Sequence, residues 1–341
     1  MRVLVTGATG FIGSELVLAL LRRGDDVRIF ARSAARAAPL VQAGAQLIVG
    51  DLGEPHSLKG ACSGREVVFH LASAMSGPEA AFRRVDIEGT CALISEATRA
   101  GVRRLVYPGT LSSFDTAHVR DGASLDEASP FDGSGRLGPY ARAKAQAEEI
   151  VLAANKRGKL EGVIVRLGLT CGKSAAVFPP HVGRLVRPNL LLLFGDGTVP
   201  LPLVMIENAV EALILAATVA GIGGESFNIV DGESLTQADY IALYRGETGA
   251  ALRVVRAPRL AYYALGAATA LAARLRAKEP AITPYRVRAR LRAVHWNCSK
   301  AERGLQWRSR VPLRVGLAAA FQSARTRPEH APAAAGSPTG A

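Results

Sequence analysis

Along the first 170 residues, short apolar runs alternate with longer amphipathic stretches. Runs at 2–6, 27–30, 46–49, 67–71, 104–107 and 162–165 are compact, rich in Val, Leu and Ile, and apolar at successive positions, which predicts strands. Between them, apolar residues recur every three to four positions over 11–23, 87–100 and 140–157, which predicts helices. Strands alternating with helices imply βαβ units and a parallel sheet, and continuously apolar strands imply a sheet covered on both faces. Beyond residue 170 the rhythm loosens. Proline-rich stretches at 178–180 and 199–202 precede a predicted helix at 207–219 and a strand at 226–230. The segment 325–341 is rich in Ala, Pro, Gly and Ser and is expected to be a disordered tail.

A glycine pattern gives the first βαβ unit a chemistry. Thr6-Gly7-Ala8-Thr9-Gly10-Phe11-Ile12-Gly13 follows the first strand and opens the first helix. In that context Gly7 permits the tight turn, Gly10 lets a pyrophosphate approach the backbone, and Gly13 brings helix and sheet together. The helix start then offers unpaired N–H groups to phosphate. The fold class expected is α/β, a Rossmann-type doubly wound parallel sheet with a smaller C-terminal α/β part. Residues 1–170, with parts of 200–232, form the NAD(P)-binding domain, and 171–324 form mainly the substrate-binding part. At the second strand's tip, Phe30-Ala31-Arg32-Ser33 carries no acid to bind a ribose 2′-hydroxyl. Arg32 suits a 2′-phosphate instead, so NADP is the expected cofactor and NAD the alternative. Asp51 and Leu52 follow the third strand, where they can contact adenine or simply form a turn.

The helix predicted from residue 140 carries Tyr140 and Lys144, four apart and so on one face. An isolated phenol titrates near 10. A neighbouring ammonium, together with the positive charge of an oxidised nicotinamide, is expected to lower that value and let Tyr140 exchange a proton with a substrate oxygen while hydride moves.

With these residues in view, the chain resembles the extended short-chain dehydrogenase/reductase superfamily and its NAD-dependent epimerase/dehydratase family. The glycine loop, His70-Leu71-Ala72, Asp86-Ile87-Glu88-Gly89-Thr90, the Tyr140/Lys144 pair and the turn from Val165 to Gly172 carry the resemblance. It implies a third catalytic residue just past the fifth strand, Thr110, with Ser112 as the alternative. It also implies cofactor contacts from Thr9, Leu71 and Ala72, a ribose-holding role for Lys144, and a homodimer. Asp86 stands where the family usually has asparagine. Leu169 and Leu201 stand where nucleotide-sugar members hold their diphosphate, which would leave phosphate charges unpaired. The C-terminal part is loosely similar to the sterol-dehydrogenase branch, whose members handle apolar alcohols and ketones. The expected activity is therefore interconversion of a secondary alcohol and a ketone on a fairly apolar small molecule. A nucleotide-sugar epimerase or dehydratase with recycled cofactor is the alternative, and a cofactor-binding sensor without turnover is the non-enzymatic one.

Charge bears on the partners. The formal net charge is +13, yet 253–310 alone holds fourteen Lys/Arg against two acids. The dinucleotide half is nearly neutral, which argues against a nucleic-acid substrate. The run 260–273 is apolar and flanked by Arg259 on one side and Arg274, Arg276 and Lys278 on the other. It is too short to span a bilayer, so 259–278 is either a packed helix or a peripheral contact with an anionic membrane. Cys62, Cys91, Cys171 and Cys298 show no metal spacing and read as small buried hydrophobes of a reducing compartment. No metal site is expected, and the location expected is cytoplasmic, with or without attachment at the inner membrane face.

Overall fold

The computed structural model describes residues 1–131, 135–276, 279–280 and 282–325. Seven parallel strands form the central sheet: β1 (Arg2–Thr6), β2 (Asp26–Ala31), β3 (Gln46–Val49), β4 (Val67–His70), β5 (Arg104–Thr110), β6 (Glu161–Leu167) and β7 (Ser226–Ile229). Their spatial order is 3-2-1-4-5-6-7. The order therefore reverses beside β1, and a crevice opens there at the strands' carboxyl ends. Helices α1 (Phe11–Arg22) and α2 (Ala34–Gln42) follow β1 and β2. Helices α3 (Gly89–Arg99), α4 (Pro139–Lys156) and α5 (Ile206–Thr218) follow β4, β5 and β6.

Both sheet faces are buried, as continuous apolarity requires. Val3 and Val5 pack with Leu16, Leu20, Ala209 and Leu213 in one cluster. Leu4, between them in sequence, packs with Leu93, Tyr107, Ala147 and Val151 in another. The alternation of side-chain direction along β1 sends its neighbours to opposite layers.

The C-terminal part adds a three-stranded sheet made of Arg184–Arg187, Leu190–Phe194 and Arg253–Ala257. It also carries α6 (Gln237–Thr248), α7 (Arg259–Leu275), α8 (Pro284–Arg290), α9 (Ser299–Gly304) and α10 (Leu313–Arg325). Its end returns to the dinucleotide half. Ala301, Leu305 and Trp307 join the first core cluster, and the Trp307 indole N–H donates to the Asn208 carbonyl at 2.9 Å. Asn208 in turn accepts from the backbone N–H groups of Arg310 and Val311, each at 3.0 Å.

Two expectations change. Cys62 and Cys171 are buried, but Cys91 is exposed, because it lies on the outer side of α3 while Leu93, Ile94 and Ala97 face the core. Of the segment expected to be disordered, Arg325 is the last residue of α10, and 326–341 lies outside the described residues, as does Lys278. Among the described residues no helix is long and apolar enough to cross a membrane.

Candidate active site

The glycine loop is dictated by contact distances. Gly7 has φ +69, and a Cβ there would fall 2.5 Å from the Ala72 nitrogen. At Gly13 a Cβ would fall 2.2 Å from the Gly7 carbonyl oxygen. Gly7 thus seats β1's turn on Leu71 and Ala72, and Gly13 seats α1 on that turn. Gly10 is exposed and precedes α1 without a side-chain cap. The first-turn N–H groups, from Phe11 onward, therefore remain available to a ligand. These residues fit a dinucleotide pyrophosphate.

At the adenosine end, Arg32 is exposed directly after β2. Ser33 caps α2 by accepting from the Arg36 N–H. The Arg36 guanidinium, which sequence reasoning missed, donates to the Thr9 carbonyl at 3.2 Å, so two guanidinium groups flank this corner. Its signal was legible as a second cation one turn beyond Arg32. Asp51 accepts from the Gly53 N–H at 2.9 Å and pairs with Arg84 at 3.6 Å, an Asx turn, while Leu52 is buried in the core.

A buried chain of hydrogen bonds runs from this cradle to the turn that carries Asp86. Ala72 N–H donates to Thr6 Oγ1 at 3.3 Å, and Thr6 Oγ1 lies 2.8 Å from His70 Nδ1. His70 Nε2 lies 2.9 Å from Thr90 Oγ1, whose hydroxyl donates to the Asp86 carbonyl. Only one donor order satisfies every link: Nε2 carries the proton and Nδ1 accepts from Thr6. Burial holds His70 neutral, its pKa brought down to about 3, with the Lys144 charge contributing. Asp86 sits in a π-helical turn, Arg83–Glu88. Its carboxylate accepts from the Ser73 hydroxyl at 2.5 Å and the Ala74 N–H at 3.0 Å. The aspartate thus braces the turn after β4, and burial raises its pKa against those bonds.

Helix α4 opens after Gly138, at φ +118, with Pro139 in its first turn. It carries Tyr140 and Lys144 to the carboxyl end of β5. The Tyr140 hydroxyl makes no hydrogen bond among the described residues. Its pKa is pushed up to about 12, by burial first and the Asp86 carboxylate second. The lowering expected from Lys144 together with an oxidised nicotinamide concerns the cofactor-bound state, and in the protein alone burial dominates. Lys144 is buried, with Nζ 4.0 Å from the centre of the Tyr107 ring. Burial brings its pKa down to about 8 against the opposing pull of Asp86 and Glu148. Thr110 ends β5, and its oxygen accepts from the Ser112 N–H at 3.2 Å, which leaves its hydroxyl hydrogen free to donate. Ser112 is exposed, and Ser113 instead donates to the Ala141 carbonyl at 3.2 Å, fastening the loop to α4.

Sequence reasoning also missed Glu148, one further turn along the same face. Its carboxylate pairs with Arg166 at 2.9 Å, both side chains nearly fully buried. It lies so close over Gly109 that a Cβ there would meet Oε1 at 2.1 Å. The four-residue spacing from Lys144 was visible, but its partner on β6 was not. Leu201 lies in the apolar C-terminal cluster and Leu169 packs against it, so neither position offers a phosphate ligand. Arg184 and Arg187 are exposed on the small sheet.

The profile of the NAD dependent epimerase/dehydratase family matches residues 3–230. The chain is 32% identical over 331 residues to the 4-hydroxy-2-methyl-3-oxo-4-farnesyl-3,4-dihydroquinoline-1-oxide ketoreductase of Stigmatella aurantiaca, covering 95% of this chain and 96% of that one. It is 33% identical over 257 residues to a 2-alkyl-3-oxoalkanoate reductase of Stenotrophomonas maltophilia, covering 73% and 76%. Among solved structures, the UDP-glucose 4-epimerase of Thermotoga maritima superposes with a TM-score of 0.75 at 20% identity, over 95% of this chain and 99% of that one. That likeness concerns the fold.

Proposed function

The chain belongs to the NAD-dependent epimerase/dehydratase family and is an enzyme of short-chain dehydrogenase/reductase type, and on that premise we propose that it reduces a ketone on an apolar small molecule to a secondary alcohol, with NADPH as the donor. The observation that carries the reading is Tyr140, a phenol with no hydrogen bond among the described residues, held protonated on the helix that also carries Lys144. A phenol in that state keeps its proton at neutral pH and can give it to the more basic alkoxide that hydride addition creates. When bound, the reduced nicotinamide supplies hydride to the carbonyl carbon. Tyr140 gives its proton to the carbonyl oxygen, and the Thr110 hydroxyl donates a hydrogen bond to the same oxygen, so one C–H and one O–H bond form. In this reading Lys144 holds the cofactor ribose and supports the phenolate that Tyr140 leaves.

The apolar substrate class is supported by Leu169 and Leu201, packed hydrocarbon at the positions where the family resemblance expects diphosphate contacts in nucleotide-sugar members. It is also consistent with relatives named for reducing a farnesylated ring ketone and 2-alkyl-3-oxoalkanoates. Arg32 and Arg36 support NADPH over NADH.

The test is NADPH oxidation with a medium-chain 3-oxo ester, with the alcohol product quantified. One alcohol per NADPH is expected. Tyr140→Phe should slow turnover by about 10²–10⁴-fold while leaving NADPH affinity intact. Protein that leaves purification with near-stoichiometric nicotinamide, and exchanges no hydride with added NADPH, would replace this reading with an internally recycled epimerase.

A further inference from the structure

Helix α7 is covered on one side only. Tyr262, Gly266 and Ala273 are buried, and Tyr262 stacks on Phe194 with centroids 3.9 Å apart. The opposite side is open, and its large side chains are all leucine: Leu260 is 80% exposed, Leu271 60%, Leu275 79% and Leu265 39%. At 3.6 residues per turn, Leu260, Leu271 and Leu275 fall in one stripe along about 22 Å of helix. The exposed residues between them are alanines, and the polar ones are arginines at the ends, Arg259 and Arg274. A single exposed leucine is ordinary, but a stripe without an interrupting polar side chain marks a contact surface.

The surrounding charge selects the occupant. Arg253, Arg256, Arg274, Arg276 and Arg288 are exposed and have no carboxylate partner among the described residues. From Arg253 to Arg292 the sequence holds ten Lys/Arg and one acid, Glu279. A second copy meeting this face would bring the same positive field against itself. A polyanion such as nucleic acid would satisfy the arginines and leave the leucines in water. An anionic phospholipid surface satisfies both, taking leucines into the acyl boundary and arginines among the headgroups. We propose that the exposed face of α7 docks the enzyme on an anionic phospholipid surface.

The docking face reaches the catalytic helix through α8. Helix α8 packs on α7 through Val287, which shares an apolar cluster with Tyr262. Its Arg286 donates to the Arg136 carbonyl at 3.2 Å, and a Cβ on Gly138 would fall 3.0 Å from the same guanidinium. Gly138 lies two residues before Tyr140. The docking itself does not depend on which reaction is catalysed.

The test is co-sedimentation of the full chain with vesicles of phosphatidylcholine alone or mixed with phosphatidylglycerol. Binding should be at least about tenfold tighter to the anionic vesicles and should weaken by about fivefold for each of Arg274→Gln and Arg276→Gln. Leu271→Ser/Leu275→Ser should lower it at least about tenfold while NADPH binding, measured by fluorescence, stays unchanged and so reports an intact fold. Absence of binding to anionic vesicles overturns the proposal, and so does binding that ignores the leucines. A leucine variant that binds vesicles like the wild type but sediments as a smaller species would assign the face to a second copy instead. Each reading is independent of turnover, so a failed ketone assay leaves this result standing.

Discussion

Arg32 and Arg36 frame the corner where a 2′-phosphate would sit, and their positions differ in kind. Arg32 is exposed at the tip of β2, free to turn towards a ligand. Arg36 already spends one guanidinium arm on Thr9 and is thereby preorganised over the glycine loop. A charge-assisted hydrogen bond to phosphate contributes about 1.5–3 kcal/mol. Arg32→Ala/Arg36→Ala should therefore weaken NADPH by at least about tenfold and move NADH little, as read by isothermal titration with each. Equal losses for the two cofactors would mean that the arginines serve the loop rather than the phosphate. Burial of the phenol belongs to the same residue scale. The Tyr140–Lys144 spacing was visible in sequence, but burial was not, and burial is the larger effect on both groups.

At the scale of the element, α4 presents Tyr140, Lys144 and Glu148 on successive turns. Its third member is anchored to β6 through Arg166, whose guanidinium lies 5.1 Å from the Phe114 ring centre and 4.6 Å from that of Phe131. An ion pair buried in this way stabilises little on balance, yet removing one partner strands the other. Glu148→Ala is expected to lose about 3–5 kcal/mol in urea unfolding, and Glu148→Leu/Arg166→Met to recover most of it. A single variant as stable as the wild type would show that the pair does not brace α4 against the sheet. The strands themselves were legible, because continuous apolarity over four to seven residues has no other use in a covered sheet. The π-helical turn at Arg83–Glu88 was not. It depends on Asp86 reaching Ser73 and Ala74 across the crevice, a contact with no local signature.

Across the whole molecule, two histidines, the buried His70 of β4 and the half-buried His181 in the turn after Pro180, tie stability to acidity. His70 and His181 have pKa values brought down to about 3 and about 4, by burial first in both cases. The unfolded chain protonates them near 6.5, so as pH falls below that value it binds protons that the folded chain refuses. Folding stability is therefore lost between about pH 6.5 and 3, and is independent of these groups above it. For His70, two pH units inside that window amount to about 2–3 kcal/mol. Urea unfolding at pH 7 and pH 4.5 should show the wild type losing that much more than His70→Asn. Parallel losses would place the acid sensitivity elsewhere.

Periodicity and the glycine loop by themselves determined the parallel sheet, the dinucleotide cradle and the Tyr140/Lys144 helix, because each rests on residues close in sequence. The tertiary structure alone decided what those residues experience. It set the phenol's proton by burial, paired Glu148 with Arg166 and Arg36 with Thr9, and packed Trp307 under α5 from far along the chain. It also decided which side of α7 stays uncovered. Burial, desolvation and long-range pairing are properties of the packed chain, and an amino-acid pattern records them only where both partners happen to lie on the same element.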